Sequence, residues 1–356
     1  MSLRIGIGVG ARVDAERVDF IREAERLGVD SLWSAEAWTF DALTPLGYLA
    51  AITDRVRLGT GIVQLGARTP ANLAMAAMAL HAMSHGRFIL GLGTSGPQVM
   101  EGWHGVRFTK PVTRTRETID IIRAVTSGQK VSYDGEIYRL PLPGGEGVSI
   151  RSRMPPVHVP IYLASLGPKN LRLTGELADG WIGNSFFPET ADVFFDPIRE
   201  GAAAAGRPFT AIDLIVGASV EFTDDVDEAG RRHAEGYAFT FGAMGSATTN
   251  FYNDAFARQG YGDDVKAVQQ LWLAGDREAA AKRVPTAIGL GTNLIGTDEM
   301  VLDRLRLYRD VGVGSIRAGL AGDTLSDKLV TLGRLLNLVR TVNAESDRTA
   351  SANPGL

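Results

Sequence analysis

Short apolar strands alternate with helix-length segments about eight times along this chain, and no other feature narrows the fold as much. Leu3–Gly8, Ser31–Ser34, Val56–Val63, Phe88–Leu92, Val159–Ala164, Trp181–Asn184, Ile212–Val220 and Ser315–Ala318 read as strands. Between them lie Asp14–Leu27, Leu43–Ile52, Ala71–Met83, Thr113–Val125, Lys169–Ala178 and Ala191–Ala205. In the first of these, Val18, Ile21, Ala24 and Leu27 fall at helical spacing and Gly28 supplies the stop. Strand–helix repetition gives a parallel sheet, and eight such units close into an α/β fold, the (β/α)₈ TIM barrel. An open doubly wound sheet is the runner-up. It lacks the Gly-x-Gly-x-x-Gly turn, because Gly6-Ile7-Gly8-Val9-Gly10 continues into Arg12-Val13-Asp14 instead.

At 356 residues one barrel accounts for the length. We expect a single domain over 1–345 and a disordered tail over 346–356. Two insertions interrupt the rhythm, at about 130–158 and 236–291. The first opens with Lys130–Leu140, which reads as a hairpin turning on Asp134-Gly135, and continues as a Pro- and Gly-rich loop. The second holds the aromatic, small-residue stretch Phe239–Tyr252 and short helices such as Val265–Leu273 and Arg277–Val284. Loops of this length on a barrel cap the active mouth.

Two successive strands end in glycines. Leu58-Gly59-Thr60-Gly61-Ile62-Val63-Gln64 turns into a helix, and Gly91-Leu92-Gly93-Thr94-Ser95-Gly96-Pro97 closes the next strand in the same way. Such mouths let backbone approach a large flat ligand. A helix opening at Ala164-Ser165-Leu166-Gly167-Pro168 offers free N–H groups and a positive dipole end to an anion. In that seat the Ser165 hydroxyl and the Gly167 backbone are the expected donors. Asn184 and Ser185, at the end of the next strand, would complete it.

Several classes of protein fall away. A net charge of −4 and a pI near 5.8 oppose nucleic-acid binding. With no cysteine, the chain has no disulfide, Cys-bound zinc or thiol nucleophile. No secretory signal and no bilayer-length apolar run is apparent, so a cytoplasmic protein without membrane partners is expected.

Ser34-Ala35-Glu36-Ala37-Trp38, Arg57–Ile62 and Ser84–Gly93 resemble the bacterial luciferase-like superfamily. Ser95–Trp103, Phe108-Thr109-Lys110-Pro111 and Arg114-Thr115-Arg116-Glu117 are similar to the actinobacterial oxidoreductases that use the deazaflavin coenzyme F420. The resemblance implies hydride transfer between coenzyme F420 and a small organic substrate. An FMN-dependent monooxygenase, or a non-catalytic barrel binding flavin or deazaflavin, is the alternative. It also implies a non-prolyl cis peptide at Gly61-Ile62 against the cofactor ring, Gln64 donating to a ring carbonyl, and Gly93, Thr94, Ser95, Ser165, Leu166, Gly167, Pro168, Asn184 and Ser185 in cofactor contact.

For chemistry, Glu36 ends the second strand, where barrel enzymes place catalytic groups. Its neighbours Trp33, Ala35, Ala37 and Trp38 make an apolar setting suited to a proton-donating carboxyl. The F420-dependent relatives often carry Asp-His where this chain has Ala35-Glu36, so the role is not copied unchanged; the alternative for Glu36 is a structural carboxylate tied to an Arg. Trp38 would pack on substrate or ring. His81 and His85 are four apart but lack a Glu between them, and read as core or surface residues; no metal site is expected. His104 lies where it could reach the mouth from the substrate side. The helix Ala71–Leu80 is apolar nearly all round, which points to a homodimer interface shared with the second helix, with burial beneath the second insertion as the alternative.

Overall fold

The computed structural model describes residues 2–10, 12–245 and 250–352. Eight parallel strands form the closed barrel: β1 (Arg4–Gly8), β2 (Ser31–Ser34), β3 (Arg57–Thr60), β4 (Phe88–Gly93), β5 (Ile161–Ala164), β6 (Gly180–Gly183), β7 (Asp213–Phe222) and β8 (Ser315–Leu320). Their order around the sheet follows the chain. The expected (β/α)₈ TIM barrel is therefore the fold. The chain divides into two compact units, one of Met1–Ser31, Ile182–Asp196 and Asp213–Leu356, the other of Leu32–Trp181 and Pro197–Ile212.

In the unit holding both termini, β8 lies between β1 and β7, with Ile316 in register with Ile5 and Val216. The first helix, Ala15–Leu27, is capped by the Asp14 carboxylate on Arg17 N–H and stopped by Gly28 at φ 107°. The second insertion folds as short helices around Phe187, Phe241, Phe256, Val268 and Ile288. A separate aromatic cluster joins Phe186, Phe194, Phe195 and Tyr308, with centroids 5.5–6.0 Å apart. Residues 246–249 of the expected Phe239–Tyr252 stretch lie outside the described residues.

Several elements of this unit escape the sequence reading, a strand and the helix after it among them. Strand Leu294–Gly296 pairs in parallel with the end of β7, and helix Asp298–Asp310 follows it. The Thr297 cap, the acids Asp298 and Glu299, and buried Val301, Leu305 and Tyr308 were the signals for that helix. The last helix runs Leu325–Ala352, so the tail expected from residue 346 is helical through 352; residues 353–356 lie outside the described residues.

In the other unit, the expected third strand is cut in two. Arg57–Thr60 and Val63–Gln64 flank Gly61-Ile62, whose peptide is cis. Gly61 N–H donates to Ser34 C=O at 2.7 Å and Ile62 C=O accepts from Glu36 N–H at 3.2 Å. The Thr60 hydroxyl stitches the break to β4, bonding both the N–H and the C=O of Gly91 at 2.8 Å. Beneath it the Trp33 indole lies on Gly59, where a Cβ would stand 2.4 Å from the ring. Helices Pro168–Leu177 and Asp192–Ala204 meet backbone to backbone, since a Cβ on Gly175 would lie 2.0 Å from Ile198 O. The expected hairpin pairs Tyr133–Asp134 with Arg139–Leu140. Its turn is held by buried Glu117, which accepts from the N–H groups of Glu136, Ile137 and Tyr138 at 2.7–2.9 Å.

Candidate active site

The carboxyl ends of β4 and β5 open onto a shallow cleft lined by Leu65, Leu92, Gly93, Thr94, Ser165 and Asn170. This is the barrel end at which enzymes of this fold work. Its floor is apolar. Ile62 lies across Gly93, where a Cβ would be 2.8 Å from Ile62 Cγ1, so the cis segment and the β4 mouth fit each other. The Asn170 Oδ1 atom is buried and lacks a hydrogen-bond partner, an acceptor available to a ligand hydroxyl. Thr94 and Ser95 turn the chain out of β4, Ser95 at φ 57°.

The expected anion seat lies at a helix start. Gly167 is the N-cap of Pro168–Leu177 and Pro168 its first residue, and no side chain caps this end. The N–H groups of the first turn are thus available to an anion. A Cβ on Gly167 would meet nothing within 4 Å, so space lies open beside it. Leu166 precedes it at half-burial. Ser165 corrects the expectation of a phosphate donor. Its buried hydroxyl faces Thr174 Oγ1 at 2.8 Å, and Thr174 already gives its proton to Asn170 C=O. The Ser165 proton therefore goes to Thr174.

Glu36 also departs from expectation. Arg68 Nη1 lies 2.9 Å from Glu36 Oε1 and Arg68 Nη2 lies 2.8 Å from Oε2. Ala42 N–H adds a third contact at 3.3 Å. Both carboxylate oxygens are engaged by Arg68, the arrangement expected of a structural carboxylate tied to an Arg. The pairing raises the basicity of Arg68, Glu36 being the main cause. Asp41, 4.0 Å from Arg68, sits below the usual carboxylate range. Burial opposes that shift, and the N–H groups of Thr44 and Leu43, the Thr44 hydroxyl and Arg68 outweigh it. Trp38 stands 53 % exposed in the segment between Glu36 and Asp41.

Gln64 is buried, and its amide donates to Glu36 C=O at 3.2 Å rather than standing free for a ring carbonyl. Its oxygen meets His104 Nε2 at 2.8 Å. This unit therefore brings together Glu36, Gly61, Ile62, Gln64 and His104, with Gly93 and Thr94 beside them. Arg68 was the partner missed in the sequence, although it stands in the turn after the third strand.

Asn184 and Ser185 belong to the other unit, where their contacts differ from a phosphate cradle. Asn184 Oδ1 accepts from Arg317 Nη2 at 3.0 Å, and Ser185 C=O accepts from Gln259 Nε2 at 2.8 Å. Burial lowers the basicity of the Arg317 guanidinium, with Tyr252 opposing that shift. Nothing in the sequence marks this arginine, which stands between Ile316 and Ala318 on β8. Among the described residues, no group of three or more His, Cys, Asp or Glu could hold a metal ion, and no helix is long and apolar enough to cross a membrane.

Comparison with known proteins gives one family. The family model for luciferase-like monooxygenases matches residues 4–315. A Mycobacterium tuberculosis protein bearing the name coenzyme F420-dependent oxidoreductase is 38% identical, over 88% of this chain and 93% of its own. The 5,10-methylenetetrahydromethanopterin reductase of Archaeoglobus fulgidus is 30% identical, over 84% of this chain and 88% of its own. Among solved structures, the coenzyme F420 dependent tetrahydromethanopterin reductase from Methanopyrus kandleri superposes with a TM-score of 0.76 at 22% identity. That match covers 94% of this chain and 98% of the reductase, and is a likeness of fold.

Proposed function

This chain belongs to the luciferase-like monooxygenase family, and we propose that within it the chain is a coenzyme F420-dependent oxidoreductase acting on a small organic substrate. The observation that carries this reading is the joint geometry of the β4–β5 mouth: an apolar cleft, the fitted Gly61-Ile62 edge, the open acceptor Asn170 Oδ1 and the uncapped helix start at Gly167. The sequence similarity to F420-named relatives supports the deazaflavin over FMN.

Those residues fit a ring, a polyol chain and a phosphate in that order. Ile62 and Gly93 would bear the ring, Asn170 would accept from a chain hydroxyl, and the N–H groups behind Gly167 would take the phosphate. Bound there, coenzyme F420 supplies a two-electron hydride donor or acceptor. Glu36 and Arg68 act as positioning residues. Their ion pair, with the Glu36 N–H bond to Ile62, fixes the corner on which the cis segment rests.

The same reading includes a cytoplasmic homodimer. Met75 and Met83 on the helix Pro70–Met83 and Tyr48 on Leu43–Ile52 are exposed by 65 %, 52 % and 51 %, an apolar surface that a second copy would cover.

Titration of the purified chain with coenzyme F420 and with FMN, followed by absorbance and by turnover, tests the assignment. Tight deazaflavin binding with F420-dependent turnover is the expected result. Turnover only with FMN and oxygen would overturn it.

A further inference from the structure

Beside the cleft at β4 and β5 lies a second recess, lined by Leu65, Thr94, Met100, Arg107, Phe108 and Arg114. Leu65 and Thr94 line both, so the two adjoin. The floor of the second is apolar, and none of its lining residues is acidic. Two guanidinium groups therefore border one recess without a carboxylate in its wall.

The other cations of the same segment are neutralised within the fold. Lys110 pairs with Glu136, and Arg116 forks onto Glu176 at 2.5 and 2.6 Å. Arg107 and Arg114 differ: among the described residues neither forms an ion pair. Arg114 Nη1 donates to the Tyr138 hydroxyl at 3.2 Å, and its guanidinium lies 5.8 Å from the centre of that ring. A neutral phenol orients the group and leaves its charge in place. The planar fork of an arginine matches a carboxylate through two parallel N–H bonds, and an apolar floor strengthens them by keeping water away.

We propose that this recess is a carboxylate-binding site, with Arg107 and Arg114 taking an acidic group of a ligand whose body lies against Leu65 and Thr94. Two sources share that chemistry. One is the deazaflavin coenzyme, which carries carboxylates beyond its phosphate; this source rests on the F420 reading. Thr115 lines the first cleft together with Asn170, and Arg114 precedes it in the helix Pro111–Thr126, so an acidic arm leaving the first cleft would pass Arg114. The other source is an organic-acid substrate, which needs no tail on the coenzyme.

Glutarate, a plain dicarboxylate, probes the recess without any coenzyme. Titrated into the full chain and followed by the ¹⁵N shifts of the arginine Nε–H groups, it should move Arg107 and Arg114 and leave Arg116 in place. Arg107→Gln and Arg114→Gln should each weaken its binding about fivefold. Lys110→Gln, whose charge Glu136 already offsets, should change it by less than about twofold. Glutarate that moves neither arginine, or that binds the natively folded double variant as tightly as the native chain, overturns the proposal. Affinities for coenzyme F420 with and without its glutamyl tail then separate the sources. A preference for the tail that disappears in the double variant assigns the site to the coenzyme, and a preference that survives assigns it to an acidic substrate. A chain that binds glutarate at these arginines but no deazaflavin overturns the F420 reading and leaves the carboxylate site standing.

Discussion

Arg68 grips Glu36 fork to fork, each guanidinium nitrogen on its own carboxylate oxygen at 2.8–2.9 Å. The Glu36 side chain is 7 % exposed and that of Arg68 21 %, so solvent screens the pair only in part. Removing one partner strands a charge at a half-buried corner. Glu36→Gln and Arg68→Gln should each destabilise the fold, with a coupling in the double-mutant cycle of about 1–3 kcal/mol by urea denaturation. Glu36→Gln should keep turnover within about tenfold of native, the mark of a positioning residue. A far larger loss, with stability unchanged, would restore Glu36 as a proton donor.

Gly167 separates folding from binding. Its φ of −76° suits any residue, and a Cβ there would enter open space. Gly167→Val should therefore melt like the native chain. The added methyl groups would stand where the helix N-terminus receives the cofactor phosphate. Affinity for coenzyme F420 should fall more than tenfold, about 1.4 kcal/mol. Unchanged affinity would locate the phosphate elsewhere.

The barrel was legible because its eight strand–helix units repeat a pattern that local hydrophobicity records. Leu294–Gly296 was not: three residues are too few to show a period, and the strand exists only by pairing with β7. The site divides similarly. Glycine mouths and the Gly167-Pro168 helix start are backbone features, written locally. The partner of Glu36 lies 32 residues away in Arg68, and that of Gln64 40 residues away in His104. Such pairings depend on how strands stack, so the apolar neighbours of Glu36 suggested a free carboxyl that folding ties down.

The glycine contact between helices should be intolerant of change. A Cβ on Gly201 would stand 1.9 Å from Arg172 O, and Arg172 belongs to a helix that cannot retreat without moving Gly167. Gly201→Val should destabilise by about 3 kcal/mol or more, since backbone rather than a flexible side chain opposes it. The loss should appear as a lower denaturation midpoint together with weaker cofactor binding. A native midpoint would show that the two helices can part freely.

His81 should tilt acid stability. Burial, and secondarily the His158 charge, hold it below the ordinary imidazole range. Its Nδ1 is buried without a partner, so a second proton there would meet no acceptor. Above about pH 6.5 neither folded nor unfolded chain binds that proton, and the residue adds no slope. Below it the unfolded chain protonates first, binds more protons than the fold, and stability drops as pH falls. His81→Gln removes the titrating group. Denaturation midpoints between pH 7.5 and 5.5 should fall less steeply in the variant than in the native chain; parallel slopes would exclude His81 as a contributor.

Met75 should report the subunit interface. Leu73, Ala74, Ala77 and Leu80 bury one face of the helix Pro70–Met83, and Met75 and Met83 leave a second apolar face uncovered. A helix apolar on both faces gains from a second partner. Charge placed in that face would have to be desolvated on association without a counter-ion, at a cost of several kcal/mol per ion. Sedimentation should find the native chain dimeric and Met75→Glu with Met83→Glu monomeric, its circular dichroism unchanged because neither side chain supports the core. A native chain that sediments as a monomer, or a dimer indifferent to both charges, would remove this face from the assembly.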